Sequence, residues 1–201
     1  MKIDRVALSE MDKQYRTNLV NSLPGIRGAN LIGTINTITQ QTNVAIFNSV
    51  THIGANPPLM GFILRPVSVQ RDTYVNIKQN ENFTINQVHE NIYHQAHQTS
   101  ARYSESEFEA TGLTPEFTDK IKAPYVKESK IKIGLRFVEE LHIKSNDTIL
   151  MIGEIEEIIL EDKLINESGI IQLEDAKAIG VSGLESYYQL LKLDELPYAK
   201  P

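Results

Sequence analysis

Residues 43–77 read NVAIFNSVTHIGANPPLMGFILRPVSVQRDTYVNI, and the reading of this stretch decides the fold. Two apolar runs, Val44–Val50 and Leu59–Leu64, flank a loop of Gly54, Ala55, Asn56, Pro57 and Pro58. Both runs are short and rich in β-branched or aromatic residues, so both are expected to be strands. The proline pair holds Asn56 and Pro57 out of the helical region and stiffens the loop. Asn48, Ser49 and Thr51 stand at the exit of the first strand. Arg65 and Arg71 follow the second, with Thr73 close behind. Asp72 is placed to cap a helix over Thr73–Asn80, with Tyr74 and Ile77 facing inward. Free amides at a helix N-terminus favour an anion. Arg71 there opposes the helix dipole unless an anion lies nearby. Hydroxyls, amides and guanidinium forks together suit a phosphate and a polar heterocycle.

Working outward, Ala29–Thr39 reads as the first strand of a barrel, although neither of its faces is purely apolar. Gln40–Asn43 then forms the turn into Val44–Thr51. Further upstream, Ser9 is expected to cap a helix over Glu10–Ser22, which Pro24-Gly25 ends. Downstream, Phe83–Val88 reads as a strand, Glu90–Ser100 as helical, and Thr114-Pro115 as the start of a short helix. Ile131–Ile143 and Thr148–Leu160 form a hairpin around Ser145-Asn146-Asp147. Ile170–Leu173 reads as a short edge strand and Leu184–Leu191 as a terminal helix. The sum is a mostly β fold, an antiparallel barrel with peripheral helices, because closing a barrel removes exposed edges.

Composition bounds the function. With 201 residues the chain fits one domain, with 1–28 as an N-terminal helical segment and 174–201 as a C-terminal extension. A net charge of −6 leaves no basic stripe to replace the counterions of a nucleic acid. There is no cysteine, which excludes disulfides, thiolate catalysis and zinc–thiolate sites. No apolar run reaches the ~20 residues of a membrane span, and the N-terminus lacks a signal-peptide core. His89, His94 and His97 form no recognised ligand motif, so a solvated polar face is expected and no metal is assigned. Glu154, Glu156 and Glu157 suggest paired acid–base carboxylates, but Glu154 and Glu156 share one strand face while Ile155 takes the other, so an outward polar row is expected instead. Neither a GxGxxG nor a GxxxxGK[ST] motif occurs, which removes the Rossmann and P-loop readings.

FNSVTHIGANPPLMGFILRP, RDTYVNI and NENFTINQV (Asn80–Val88), in this order and spacing, resemble the flavin-reductase-like family of FMN-binding split β-barrels. HQTSARY (His97–Tyr103), SEFEATGL and APYVKESKIKIG continue the resemblance more weakly. The family implies an FMN-binding split β-barrel acting as a homodimer. It assigns flavin contacts to Asn48, Ser49, Val50, Thr51, Arg65, Arg71, Thr73 and Ser100, and no catalytic residue. Gly54 stands where many relatives carry a serine, which would leave a backbone contact in place of a side-chain one. The resemblance further implies NAD(P)H as co-substrate, with hydride passing from the nicotinamide to FMN in a shared pocket. A cytoplasmic setting and an electron-acceptor protein or monooxygenase component as partner are implied too. The alternative is a flavoredoxin-like electron carrier that does not use NAD(P)H directly. A barrel that has lost its cofactor is a third reading, opposed by the surviving Arg65, Arg71 and Thr73.

Overall fold

The computed structural model describes residues 1–200. In chain order it forms helices α1 (Arg5–Glu10) and α2 (Lys13–Ser22), then strands β1 (Arg27–Gly28), β2 (Asn30–Ile35), β3 (Thr42–Phe47), β4 (Thr51–Ala55) and β5 (Pro58–Leu64). Helix α3 (Asp72–Asn80), β6 (Asn82–Gln87), α4 (Tyr93–Gln98) and α5 (Glu107–Thr111) follow. The remainder is β7 (Pro115–Glu116), β8 (Tyr125–Val126), β9 (Ile131–Ile143), β10 (Thr148–Leu160), a single 3-10 turn (Asp162–Leu164), β11 (Ile179–Ser182) and β12 (Ser186–Gln189).

Seven strands pair in the order β3-β2-β6-β9-β10-β5-β4, every pair antiparallel. The two edges of this sheet, β3 and β4, are consecutive in the chain. Laid flat, seven strands at ~4.8 Å spacing would put those edges about 29 Å apart. The connection from Phe47 to Thr51 reaches at most about 14 Å when extended. The sheet therefore has to curl on itself, and residues 48–50 form the seam. Ser49 fastens it: its Oγ accepts from the Ile63 amide at 3.0 Å and donates to the Ile63 carbonyl at 3.2 Å. The hydroxyl thus stands in for a strand partner just beyond the reach of β4. Bulges at Ile152/Gly153 and Ile155/Glu157 bend the long β9–β10 hairpin around the barrel.

The barrel is filled by Ile32, Phe62, Phe83, Ile85, Leu135 and Met151 among others, with Phe47, Phe62 and Phe83 stacked edge to face. A second core of Leu31, Val44, Val88, Ala96, Phe108 and Val181 lies outside it, beneath α4, α5 and the β11–β12 hairpin. Every residue of β2 is buried because both faces of that strand are covered. This explains the missing alternation in its sequence. Thr34 carries a small polar network there, accepting from Asn43 at 3.0 Å and from Asn76 at 3.1 Å.

Several local expectations are corrected. The first helix is two, capped by Asp4 and Asp12 rather than by Ser9. Helix α3 begins one residue early, with Arg71 at the N-cap position, no side-chain cap bond, and Asp72 in the first turn. The strand expected over Ala29–Thr39 covers only Asn30–Ile35, and the one expected over Val44–Val50 ends at Phe47. The expected Gly54–Pro58 loop is instead the tight end of the β4–β5 hairpin, with Ala55 opposite Pro58. The helix expected over Glu90–Ser100 spans only Tyr93–Gln98. Pro115 does not open a helix, because Pro115 and Glu116 pair with Val126 and Tyr125. Ile170–Leu173 forms no strand but a single bridge, Ile165 to Ile171. Leu184–Leu191 is not helical: Ser186–Gln189 pairs with β11, and Gly183 at φ +62° makes the turn. Adjacent tyrosines favour a strand once a partner edge exists. Glu157 is separated from Glu154 and Glu156: the bulge sets it opposite Gly134, on the outer face of the barrel beneath Tyr125, where it accepts from Tyr125 at 2.9 Å and Thr118 at 2.8 Å. Glu154 and Glu156 both pair with Arg136.

Among the described residues, no helix is long and apolar enough to cross a membrane.

Candidate functional site

A cavity of about 1010 Å³ runs along the outer side of β3, between α3, the segment after α4, and the β11–β12 hairpin. Six residues proposed from sequence line it: Asn48, Ser49, Arg65, Arg71, Thr73 and Ser100. Val50 and Thr51 do not. Val50 packs against the barrel core, and the exposed Thr51 opens β4 with its hydroxyl directed to the His52 carbonyl at 3.4 Å. At the seam the chain crosses from one sheet edge to the other, so successive residues turn to different sides.

The lining residues differ in what they have left to offer. Asn48 gives one of the two N–H donors of its Nδ2 to the Gly183 carbonyl at 2.8 Å, which ties the C-terminal hairpin to the cavity wall. Its amide oxygen stays available as an acceptor. Ser49 is occupied by the seam. Ser100 bonds the His97 carbonyl at 2.7 Å. Thr73 is buried and accepts from Asn43 Nδ2 at 3.2 Å, which leaves its own O–H free to donate. Arg71 has a buried Nε with no hydrogen-bond partner. A buried guanidinium donor without an acceptor is costly. Here it stands at the entry of α3, beside the free hydroxyl of Thr73 and the unpaired amides of the first helical turn. Each of these groups can donate, and the Arg71 Nε and the helix amides have no partner yet. The set fits a phosphate.

Three features were not visible in the sequence. Arg27 also lines the cavity, and its Nε is likewise buried and unpartnered. It sits in an unremarkable Pro-Gly-Ile-Arg-Gly stretch, and only the pairing of β1 with β11 brings it to the site. His97 and Tyr187 are joined at 3.0 Å between Nδ1 and Oη and line the same wall. Tyr187 also packs at 5.5 Å against Tyr93, and burial pushes its phenol above the ordinary tyrosine range. His89 turns elsewhere, its Nε2 bonding the Glu128 carbonyl at 2.9 Å, so His89 and His97 serve separate purposes. Finally, Glu107 from α5 reaches the wall near Asp72. Burial raises its carboxyl above the usual range; backbone hydrogen bonds at Glu107 and Val44 oppose this, and the Asp72 charge adds to it.

The cavity thus gathers Arg27, Arg65, Arg71 and Arg102 against the carboxylates of Asp72, Glu107 and Glu185, an excess of cation in a chain of net charge −6. Two guanidinium groups elsewhere are engaged: Arg136 pairs with Glu154 and Glu156, and Arg16 donates to the Leu8 carbonyl at 3.3 Å. A cationic, partly apolar cavity with unspent donors is the arrangement of an anionic-ligand site.

Known proteins share this architecture. The family model for the flavin reductase like domain matches residues 26–172. A candidate flavin reductase with split barrel domain from Shewanella frigidimarina is 46% identical, covering 99% of this chain and 100% of its own, at a TM-score of 0.95. Nitrilotriacetate monooxygenase component B from Bacillus cereus shares the fold at 23% identity, with 98% of each chain covered and a TM-score of 0.84. Flavoredoxin of Desulfovibrio vulgaris shares it at 20% identity, 87% and 92% coverage, and 0.74. The seven-stranded curled sheet is therefore a split barrel, and the chain belongs to the flavin reductase like domain family.

Proposed function

We propose that this chain is an FMN-binding oxidoreductase that uses NAD(P)H to reduce the flavin. One observation carries the flavin assignment: the buried, unpartnered Nε of Arg71, beside the free Thr73 hydroxyl and the first turn of α3, in a cavity large enough for a flavin. Arg71, Thr73 and the α3 amides hold the FMN phosphate. Asn48, through its free amide oxygen, and the backbone of the 48–50 seam face the polar edge of the ring system. Arg65 and Ser100 line the rim. Bound FMN supplies hydride acceptance and one- or two-electron redox chemistry, while the protein supplies binding, orientation and field.

The walls around that site orient the flavin and keep water from it. Phe47, Ile63 and Leu64 give the apolar surface on which a planar ring lies. The His97–Tyr187 pair closes the opposite wall, with a hydroxyl that stays protonated well beyond neutral pH. The active unit is a homodimer working in the cytoplasm. Both terminal segments support the dimer by exposing apolar residues, among them Val6, Tyr15, Val20, Leu191 and Leu193. The likeness to a monooxygenase component B supports an electron-accepting monooxygenase as partner.

The test is a visible spectrum of the purified protein with added FMN, before and after anaerobic NADH or NADPH. A flavin band that bleaches with either nucleotide is the expected result. A band that bleaches only with dithionite makes the protein an electron carrier of the flavoredoxin kind. No quenching of FMN fluorescence refutes the flavin reading. Sedimentation equilibrium giving a monomer mass at micromolar concentration refutes the dimer.

A further inference from the structure

We propose that Arg27 forms a second anion subsite, one that takes the phosphate oxygens of the nicotinamide dinucleotide at the end of the cavity remote from Arg71. The inference rests on the reading of the protein as an NAD(P)H-dependent flavin reductase.

Two buried guanidinium nitrogens in one cavity lack partners, those of Arg27 and Arg71. They belong to different ends of it. The bond from Asn43 to Thr73 fixes the Arg71 end at the start of β3. The bond from Asn48 to Gly183 fixes the C-terminal hairpin at the other end of the strand, and β1 pairs with that hairpin at Arg27 and Val181. From Asn43 to Phe47 a strand rises about 13 Å.

Register places the Arg27 side chain on the cavity side. Arg27 lies opposite Val181, and Val181 lies opposite Tyr187. Directly opposed residues of antiparallel strands share one face. All three line the cavity, so the row Arg27–Val181–Tyr187 is its far wall. No carboxylate pairs with Arg27 among the described residues.

The ligand class follows from counting anions. FMN carries one phosphate, already matched by Arg71, Thr73 and the α3 amides. A second unsatisfied guanidinium calls for a second anion. The other reactant of the proposed reaction brings one, since NADH and NADPH share a pyrophosphate and NADPH adds a 2′-phosphate. The cavity, at about 1010 Å³, is at the upper limit for a single small ligand.

The experiment compares FMN-loaded wild type, Arg27→Gln and Arg27→Lys by calorimetric titration. Two probes are used: ADP-ribose, which has the pyrophosphate without nicotinamide, and adenosine 2′,5′-bisphosphate. FMN dissociation constants and anaerobic bleaching by NADH and NADPH are measured on the same samples. Arg27→Gln is expected to weaken ADP-ribose by about ten- to a hundredfold, the loss of one charge-assisted contact. Arg27→Lys should recover part of this, with FMN affinity unchanged in both. A loss confined to the bisphosphate also supports the subsite and identifies the 2′-phosphate as its ligand. Unchanged binding of both probes, failure of wild type to bind either, or a fall in FMN affinity in Arg27→Gln overturns it. Failure of the wild-type flavin to bleach with either nucleotide refutes the parent reading instead, and is read independently of the probe titrations.

Discussion

Replacing Arg71 by alanine separates the phosphate assignment from a structural role, because the two predict opposite effects on the ligand-free protein. In the absence of an anion the Arg71 Nε is buried without an acceptor. Such a donor costs about 1–3 kcal/mol, so Arg71→Ala is expected to leave the apo-protein as stable as wild type or more so. With FMN bound, the same guanidinium makes a charge-assisted contact worth about 1.5–3 kcal/mol, so its loss weakens FMN by about one to two decades. Riboflavin, which has no phosphate, should bind wild type and variant alike. Arg71→Lys keeps the charge but loses the fork, and should fall between the two. Fluorescence titrations with both flavins and thermal melts of the apo-proteins provide the readings. Equal losses for FMN and riboflavin, no loss for FMN, or a strongly destabilised apo-variant would each refute the assignment.

The remaining predictions concern the frame around the site. In Gly33→Ala the new Cβ would lie 2.1 Å from the Pro124 carbonyl oxygen and 2.6 Å from Thr84 Oγ1, while Thr84 itself holds that carbonyl at 2.7 Å. Overpacking against fixed backbone costs at least about 1–3 kcal/mol, and an unchanged urea midpoint would contradict it. Tyr125→Phe removes the 2.9 Å donor to Glu157 and leaves only Thr118; a loss of about 1.5–3 kcal/mol in urea unfolding is expected. In wild type, burial first and then the bond to Glu157 push the Tyr125 phenol far up, so ultraviolet titration should find a tyrosine that does not ionise before the protein unfolds. Glu107 is held above its ordinary value mainly by burial. Between the unfolded and folded values the folded chain keeps a proton that the unfolded chain has released, so this group's contribution to stability falls as pH rises through that window. Glu107→Gln should flatten the apo-protein's stability profile just above the ordinary carboxylate range and raise its stability at neutral pH relative to wild type. A profile identical to wild type would mean the carboxyl is better solvated than its position at the cavity wall indicates.

Elements whose information is local were legible in the residues alone. The β9–β10 hairpin, Ile131–Ile143 and Thr148–Leu160, follows from two long β-rich runs around a Ser-Asn-Asp turn, and the structure has those bounds. The strands that lie within 42–47 and 58–64 and a helix after Arg71 follow in the same way, whereas β4, Thr51–Ala55, falls where the sequence reads as strand exit and loop. The family resemblance carried the barrel itself, which periodicity alone only suggested.

What remained illegible depended on partners distant in the chain. Ser186–Gln189 becomes a strand because β11 offers it an edge, and a tyrosine pair without that edge reads equally well as the face of a helix. β2 shows no alternation because cores lie on both sides of it, and a strand's own residues do not say how many layers cover them. Glu157 and its neighbours Glu154 and Glu156 are alike in sequence, and only the bulge sets Glu157 opposite Gly134, under Tyr125. The site divides along the same line. Arg71 and Thr73 announced themselves beside a helix start, a local anion-binding geometry. Arg27 did not, since its place comes from a ladder joining residue 27 to residue 181. Tertiary pairing also decided which polar side chains were already spent. Asn48 and Ser49 look alike as candidate ligands in the sequence. In the folded chain Ser49 donates to and accepts from Ile63, and Asn48 has given one of its two N–H donors to Gly183. A hydrogen bond to a residue 14 or 135 positions away removes a group's capacity for ligand without leaving any mark on the residues around it.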